Sequence, residues 1–231
     1  MNVVKLIDCM EYMKTVPDKY FELAIVDPPY FEQYGKKNYT GSDISTTGIR
    51  RQTNAIKHWA IPDEKYFKEL YRISKNQIIW GCNYYVKFIQ DFGRIIWDKK
   101  NDSATFSKAE IASKSFSLSV DMFRFEWNGM LQENMHNKEF RIHPTQKPIA
   151  LYKWLLKNYA KPNDKIFDSH VGSGSSRIAC YDMGFDFIGC ELDPDYWEAQ
   201  EKRYKDHIMQ GNLFSQETMQ KCLYKETLID L

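Results

Sequence analysis

Asp27-Pro28-Pro29-Tyr30 sets a carboxylate, two prolyl carbonyls and an aromatic ring in four consecutive positions. The tetrapeptide closes the apolar run 21–26, which reads as a buried strand ended by prolines. Each proline fixes φ and lacks an N–H, so the chain leaves the sheet stiffly and the acceptors stay where they are put. In open α/β sheets, the carboxyl end of a strand is where ligands bind. An Asp-Pro pair alone would mean only a turn; the added carbonyl and ring make a binding or catalytic site the stronger reading.

A second constellation lies late in the chain. The strand 165–167 runs into Asp168, Gly172-Ser173-Gly174 opens a helix, and Glu191 ends the next strand. Glycines allow close backbone approach, and a helix amino terminus attracts polar or negative groups. An acid at the end of the following strand is placed to accept from both hydroxyls of a ribose. No Lys-Ser/Thr follows the glycines, so this is not a phosphate loop, and Ser176 and Arg177 stand where a dinucleotide fingerprint has its third glycine. The pattern points to an adenosine-containing ligand.

The elements around these residues alternate. Strands are expected at 2–7, 21–26, 77–80, 94–97, 165–167 and 185–190. Helices are expected at 9–16, from Asp63 through Ile73, at 84–91, at 149–159 with Thr145 as cap, from Gly174 to Met183, and from Asp193 onward. That is the grammar of an α/β fold with a mostly parallel sheet. Residues 122–127 alternate like an edge strand. The stretches 31–60 and 102–142 read as inserted loops, and no linker or repeat divides residues 1–231 into separate domains.

Hydrophobic residues make up 43% and aromatics 15% of the 231, enough for a proper core and against a disordered chain. Net charge is +1, but it is unevenly spread. Residues 31–60 carry Lys36, Lys37, Arg50, Arg51 and Lys57 against Glu32 and Asp43, a balance suited to a polyanion, whereas nine acids face five bases from Glu191 onward. The five cysteines form no CxxC pair and the histidines no ligand spacing, so thiols in a reducing cytosol and no metal site are expected. The amino terminus has no basic-then-apolar pattern and no window approaches a membrane span; a soluble cytoplasmic protein is the expectation.

With these motifs in view, the chain resembles the DNA amino-methyltransferases that use S-adenosylmethionine. Asp27-Pro28-Pro29-Tyr30 is similar to their catalytic motif, and Phe167-Asp168 through Gly174 to their cofactor loop. His143-Pro144-Thr145-Gln146-Lys147-Pro148 is similar to a third motif, at the methionine end of the cofactor. Catalytic motif first and cofactor loop last is the order of the family's beta class, and Trp97-Asp98-Lys99 and Glu110 resemble segments of its small phage-like members. One departure stands out: Ser169-His170-Val171 fills positions where the family usually has Pro and Phe.

The resemblance implies a Rossmann-like methyltransferase fold with helices on both faces and circularly permuted connectivity. It implies S-adenosylmethionine as cofactor. Asp168, Gly172, Ser173 and Gly174 would hold its amino-acid portion, Glu191 the ribose, and Asp8 the adenine. Asp27, Thr145, Gln146 and Lys147 would close on the methionine end. For Asp8 the plain alternative is a helix cap, and for Lys147 a solvated loop charge. Double-stranded DNA is the implied partner, with Lys36, Lys37, Arg50 and Arg51 on its phosphates, and a homodimer and a companion restriction enzyme are analogies only. Asp at position 27 favours adenine N6 over cytosine N4 within the family. A catalytically silent binding protein is the reading from another class, and an intact Asp27 and Tyr30 argue against it.

The chemistry fits these residues on its own terms. An exocyclic amine on a base is a poor nucleophile because its lone pair is delocalised into the ring. Hydrogen bonds from its two N–H groups to the Asp27 carboxylate and the Pro28 carbonyl would favour a pyramidal nitrogen, and Tyr30 would stack on the extruded base.

Overall fold

The computed structural model describes residues 1–30, 33–34, 57–102, 107–128 and 131–227, with side chains described for 1–30, 59–102, 107–127 and 131–211. In chain order the strands are β1 (Asn2–Leu6), β2 (Phe21–Val26), β3 (Gln33–Tyr34), β4 (Lys57–His58), β5 (Ser74–Trp80), β6 (Gly93–Asp98), β7 (Ala109–Lys114), β8 (Val120–Arg124), β9 (Trp127–Asn128), β10 (Leu131–Gln132), β11 (Lys165–Asp168) and β12 (Asp186–Glu191). The helices are α1 (Cys9–Lys14), α2 (Glu64–Ile73), α3 (Ile149–Tyr159), α4 (Ser175–Asp182) and α5 (Pro194–Thr227).

Eight strands form one sheet in the order β1-β12-β11-β2-β5-β7-β6-β8. From β1 through β5 all pairs are parallel, whereas β7 runs antiparallel to both β5 and β6. Helices cover both faces. Leu23, Ile25, Ile78 and Trp80 pack with Leu151 and Leu155 of α3 and Ala179 of α4. Ala24, Val26 and Ile79 pack on the other face with Met13 of α1 and Phe67 and Leu70 of α2. Burial on both faces is why β2 reads as an unbroken apolar run instead of an alternating one.

Several expectations are corrected. The helix expected at 84–91 is a single 3-10 turn, Cys82–Tyr84, entered through Gly81 at φ +68°. Thr145 does not cap α3; the N-cap is Pro148, while Thr145 Oγ1 lies 3.1 Å from Nδ1 of His143. Most informative is β7, a buried strand inside a stretch expected to be loop. Its Ser113 and Lys114 are 0% and 1% exposed, and the Lys114 ammonium is paired with Asp121, which also accepts from Tyr159 Oη at 2.7 Å. A strand reading Ala-Glu-Ile-Ala-Ser-Lys offers no apolar periodicity, yet tertiary pairing buries its second half, Ala112 to Lys114. The edge-strand expectation near 122–127 matches β8, which borders only β6.

Candidate active site

The cavity lies at the carboxyl edge of the parallel strands, with a volume of about 650 Å³. That is within the usual range for small-molecule sites. Ile7 and Asp8 after β1, Asp27 to Tyr30 after β2, Ser169 to Ser173 after β11, and Glu191 to Asp193 after β12 form its walls, with Thr145 to Lys147 from the loop before α3. Adjacent strands thus bring together motifs that are 140 residues apart in sequence.

Three helix caps ring this space. Asp8 accepts from the N–H groups of Met10 and Glu11, Asp63 from those of Lys65 and Tyr66, and Asp193 from those of Asp195 and Tyr196. For Asp8 the two readings coincide: it caps α1 and lines the cavity. Glu191 accepts from Gly172 N–H at 2.8 Å and from Asp193 N–H at 2.9 Å, so it ties the glycine loop to the end of β12. Burial raises its carboxyl above the usual range, against those two donors.

Asp168 and Gly174 lie beneath the loop and do not line the cavity. Asp168 is 2% exposed and uses both oxygens, accepting from Ser176 Oγ at 2.6 Å and His170 N–H at 3.0 Å. Burial pushes its pKa to about 7 in spite of those bonds. Gly174 is required by conformation: φ is +76°, and a Cβ there would sit 3.2 Å from Gln200. Gly172 and Ser173 do face the cavity. Gln146, 3% exposed, spends its side chain on Ile142 N–H and the Phe140 carbonyl, shaping the turn. His170 is pushed down to about 4 by burial and is therefore neutral near pH 7.

The catalytic motif is held from behind. Tyr85 Oη donates to the Pro29 carbonyl at 2.5 Å and reaches the Pro28 carbonyl at 3.2 Å. Tyr30 stacks on Tyr84 with centroids 4.4 Å apart and planes within 5°. Gly81 makes room for that stack, since a Cβ there would lie 2.8 Å from the Tyr30 ring.

Lys147 is not a solvated loop charge. Its side chain is 2% exposed, and its ammonium is paired with Asp27 Oδ2 and, at 3.0 Å, with Glu110 Oε2. Glu110 Oε1 is in turn 2.5 Å from Lys99 Nζ. Burial would raise Glu110, but Lys147 and Lys99 outweigh it and hold the carboxyl at about 2. Burial also raises Asp27, and there it prevails over the pull of Lys147. The other oxygen, Asp27 Oδ1, is buried and has no hydrogen-bond partner among the described residues. A buried acceptor without a donor is costly, and such exceptions cluster where a ligand supplies the missing group.

A family model described as DNA methylase, that of the N6/N4 methyltransferases, matches residues 74–202. The chain belongs to this family. The matched stretch holds Glu110, Lys147, the glycine loop and Glu191 of this methylase, while Asp27 precedes it. Among relatives, the type II methyltransferase M.HinfI of Haemophilus influenzae is 25% identical, over 89% of this chain and 69% of its own. M.HpaI of Haemophilus parainfluenzae is 25% identical, over 93% and 77%. Two solved structures share the fold. The M1.HpyAVI–SAM complex has a TM-score of 0.55 at 18% identity, covering 88% of the methylase and 100% of that chain. The cytosine-N4-specific PvuII DNA methyltransferase has a TM-score of 0.59 at 13% identity, covering 88% and 86%.

Sequence reasoning gave no role to several residues that build the site. Glu110 and Lys99 were noticed only within segments resembling small family members. His143 packs against Trp59, 5.5 Å between centroids, and against Tyr196 at 4.3 Å, beside the glycine loop. Tyr84 and Tyr85 fall at the start of the stretch expected to be helical and Gly81 just before it, so nothing in the spacing points to their contacts with the prolyl carbonyls and Tyr30. The basic residues Lys36, Lys37, Arg50 and Arg51 lie outside the described residues. Among the described residues there is no cluster that could hold a metal and no helix long and apolar enough to cross a membrane.

Proposed function

We propose that this methylase transfers a methyl group from S-adenosylmethionine to the N6 amine of adenine in duplex DNA. The observation that carries the reading is the Asp27 carboxylate at the cavity wall, with one oxygen held by Lys147 and the other buried and unpartnered among the described residues. An amine N–H is the donor that this oxygen lacks.

The cavity suits the cofactor chemically. Among the described residues, Asp8, Asp27, Asp63, Glu191 and Asp193 line it against a single ammonium, that of Lys147, which favours a ligand bearing positive charge and hydroxyl donors. Glu191 would accept from the ribose, and the backbone at Gly172 and Ser173 would take the amino-acid portion above the Asp168 and Gly174 supports. Asp8 and Met10 would meet the adenine, and Thr145 and Gln146 the methionine end. When bound, S-adenosylmethionine supplies the electrophilic methyl on its sulfonium.

The rest is done by this chain. Asp27 Oδ1 and the Pro28 carbonyl would accept the two amine hydrogens, keeping the nitrogen lone pair directed at the methyl, and Asp27 would take the surplus proton at least transiently. Tyr85 fixes both prolyl carbonyls, so those acceptors need no reorganisation. Tyr30, its plane set by Tyr84, would stack on the extruded base, and Lys36, Lys37, Arg50 and Arg51 of segment 31–60 would track phosphates. The whole chain would act as one methyltransferase domain.

Cytosine N4 is the second reading, supported by the cytosine-N4-specific enzyme among the proteins of like fold. The same experiment reads both. The purified protein is incubated with labelled cofactor and duplex DNA, and the nucleosides are resolved by mass spectrometry. N6-methyladenine supports the proposal and N4-methylcytosine replaces it with the second reading. Binding of cofactor and DNA without any methylated nucleoside would leave a silent binding protein.

A further inference from the structure

We infer that Glu110 and Lys99, neither of which lines the cavity, are positioning residues that set how strongly Asp27 Oδ1 accepts a hydrogen bond. The inference rests on the reading of Asp27 as acceptor of the target amine. Lys99, Glu110, Lys147 and Asp27 form a chain of four charges alternating in sign, linked contact by contact. All four are sheltered, with side-chain exposures of 13%, 23%, 2% and 15%. A lone ammonium on Oδ2 would fix the carboxylate but also drain its acceptor strength. Glu110 shares that ammonium, so Lys147 can hold the Asp27 rotamer while the carboxylate keeps its charge for Oδ1. Lys99 keeps Glu110 ionised and aligned. The quartet is neutral overall, so its field is balanced at the point where the amine becomes positive.

The other titratable groups around Asp27 are Tyr85, from the segment after the 3-10 turn, Tyr152 of α3 and Asp168 at the end of β11, each of which feels the Asp27 charge. Neither Glu110 nor Lys99 is among the groups acting on Asp168. Glu110 also acts on Lys147 and Tyr152, so the titration is followed at the Asp27 carboxyl carbon itself.

The test uses Glu110→Gln, Lys99→Met and the double variant. Single-turnover methyl transfer is followed against pH, calorimetry gives the affinities for S-adenosylmethionine and duplex, and an NMR titration follows the Asp27 carboxyl carbon, assigned with Asp27→Asn. Glu110→Gln keeps an acceptor for Lys147 but leaves the quartet with net positive charge. It should slow transfer at least about tenfold at pH 7 and move both the acid limb and the carboxyl titration down by about one pH unit, with both affinities little changed. Lys99→Met should move both up. The double variant restores neutrality and should recover part of the rate lost in Glu110→Gln. A purely structural network gives no opposite shifts and no rescue. If the two single variants leave the titration unmoved, or move it the same way, the inference fails while the Asp27 assignment stands. If Glu110→Gln does not fold, Lys99→Met alone must move the titration upward. Should Asp27→Ala transfer methyl groups at the wild-type rate, the underlying reading fails instead.

Discussion

Asp27→Asn looks like the mildest change available at the catalytic motif, and the geometry makes it severe. In the native side chain Lys147 donates to Oδ2 while Oδ1 waits, buried, for a donor. Asparagine has one oxygen. The Lys147 ammonium, itself 2% exposed and committed on its other side to Glu110, will claim that oxygen. The amide NH2 then occupies the Oδ1 position and presents a donor to an amine that also has only donors to offer. Removing a preorganised acceptor from a transition state costs roughly 2.7–4 kcal/mol. Flipping the amide to restore the acceptor would instead break a charge-assisted bond to Lys147, about 1.5–3 kcal/mol. The two losses are alternatives, so at 1.36 kcal/mol per decade the rate falls by about 10- to 10³-fold whichever way the amide sits. Affinity for S-adenosylmethionine should stay near wild type, and an amide in place of the carboxylate should lower stability by only about 1–2 kcal/mol, read as a fall in Tm of a few degrees. Adding Lys147→Met removes the demand on the oxygen, so the amide can flip and the double variant should outpace Asp27→Asn. The assay is single-turnover transfer to a duplex with the nucleoside product identified. If Asp27→Asn retained more than half of the wild-type rate, Lys147 would not be clamping one oxygen, and the division of labour between the two would be wrong.

Other expectations follow from the same geometry. Glu191→Ala should weaken S-adenosylmethionine binding by about 1–3 kcal/mol in calorimetry, since it removes the ribose acceptor and unties the Gly172 and Asp193 amides; unchanged affinity in a folded variant would remove Glu191 from the site. Gly81→Ala puts a methyl group against the Tyr30 ring at positive φ and should impair transfer more than cofactor binding; equal loss of both would mean general unfolding. Charge reversal at Lys36, Lys37, Arg50 and Arg51 should flatten the salt dependence of DNA binding, and an unaltered slope would place the phosphates elsewhere. Asp168, raised to about 7 in the fold, contributes stability that is full below its unfolded pKa and lost as pH rises towards 7, whereas His170, lowered to about 4, contributes stability gained as pH rises from 4 to about 6.5. The two nearly cancel between pH 4 and 6.5, so His170→Gln should expose a falling Tm across that window and Asp168→Asn a rising one.

Much of this was legible in the sequence. The apolar run before Asp27, the strand into Asp168 and the strand ending at Glu191 are buried on both faces, and such strands write themselves as continuous hydrophobic runs. Asp63 and Asp193 announced the helices they cap, and α3 begins and ends where its spacing said. What failed was whatever tertiary pairing decides. Thr145 looks like a cap but turns to His143, and Cys82–Tyr84 is one 3-10 turn entered through a left-handed Gly81, whose missing Cβ leaves space for Tyr30. Asp168 looked like a ligand contact, yet a carboxylate bonded to Ser176 and His170 supports the loop from below.

The most consequential omission has a topological cause. In a parallel sheet the functional residues are sought at the carboxyl ends of strands, and Asp27, Asp168 and Glu191 all obey. Strand β7 is reversed, so its amino end lies at that same edge: Glu110 is its second residue and pairs with Trp97, at the carboxyl end of β6. Lys99 follows β6 directly and meets Glu110 there. One antiparallel strand thus delivers a carboxylate to the active edge from a position where the parallel rule never looks. Glu110 does so without lining the cavity. An ammonium has three N–H donors, so Lys147 can serve both carboxylates, and a strand outside the parallel set supplies the second without taking a place in the wall. Of the two carboxylates on Lys147, only Asp27 then lines the cavity.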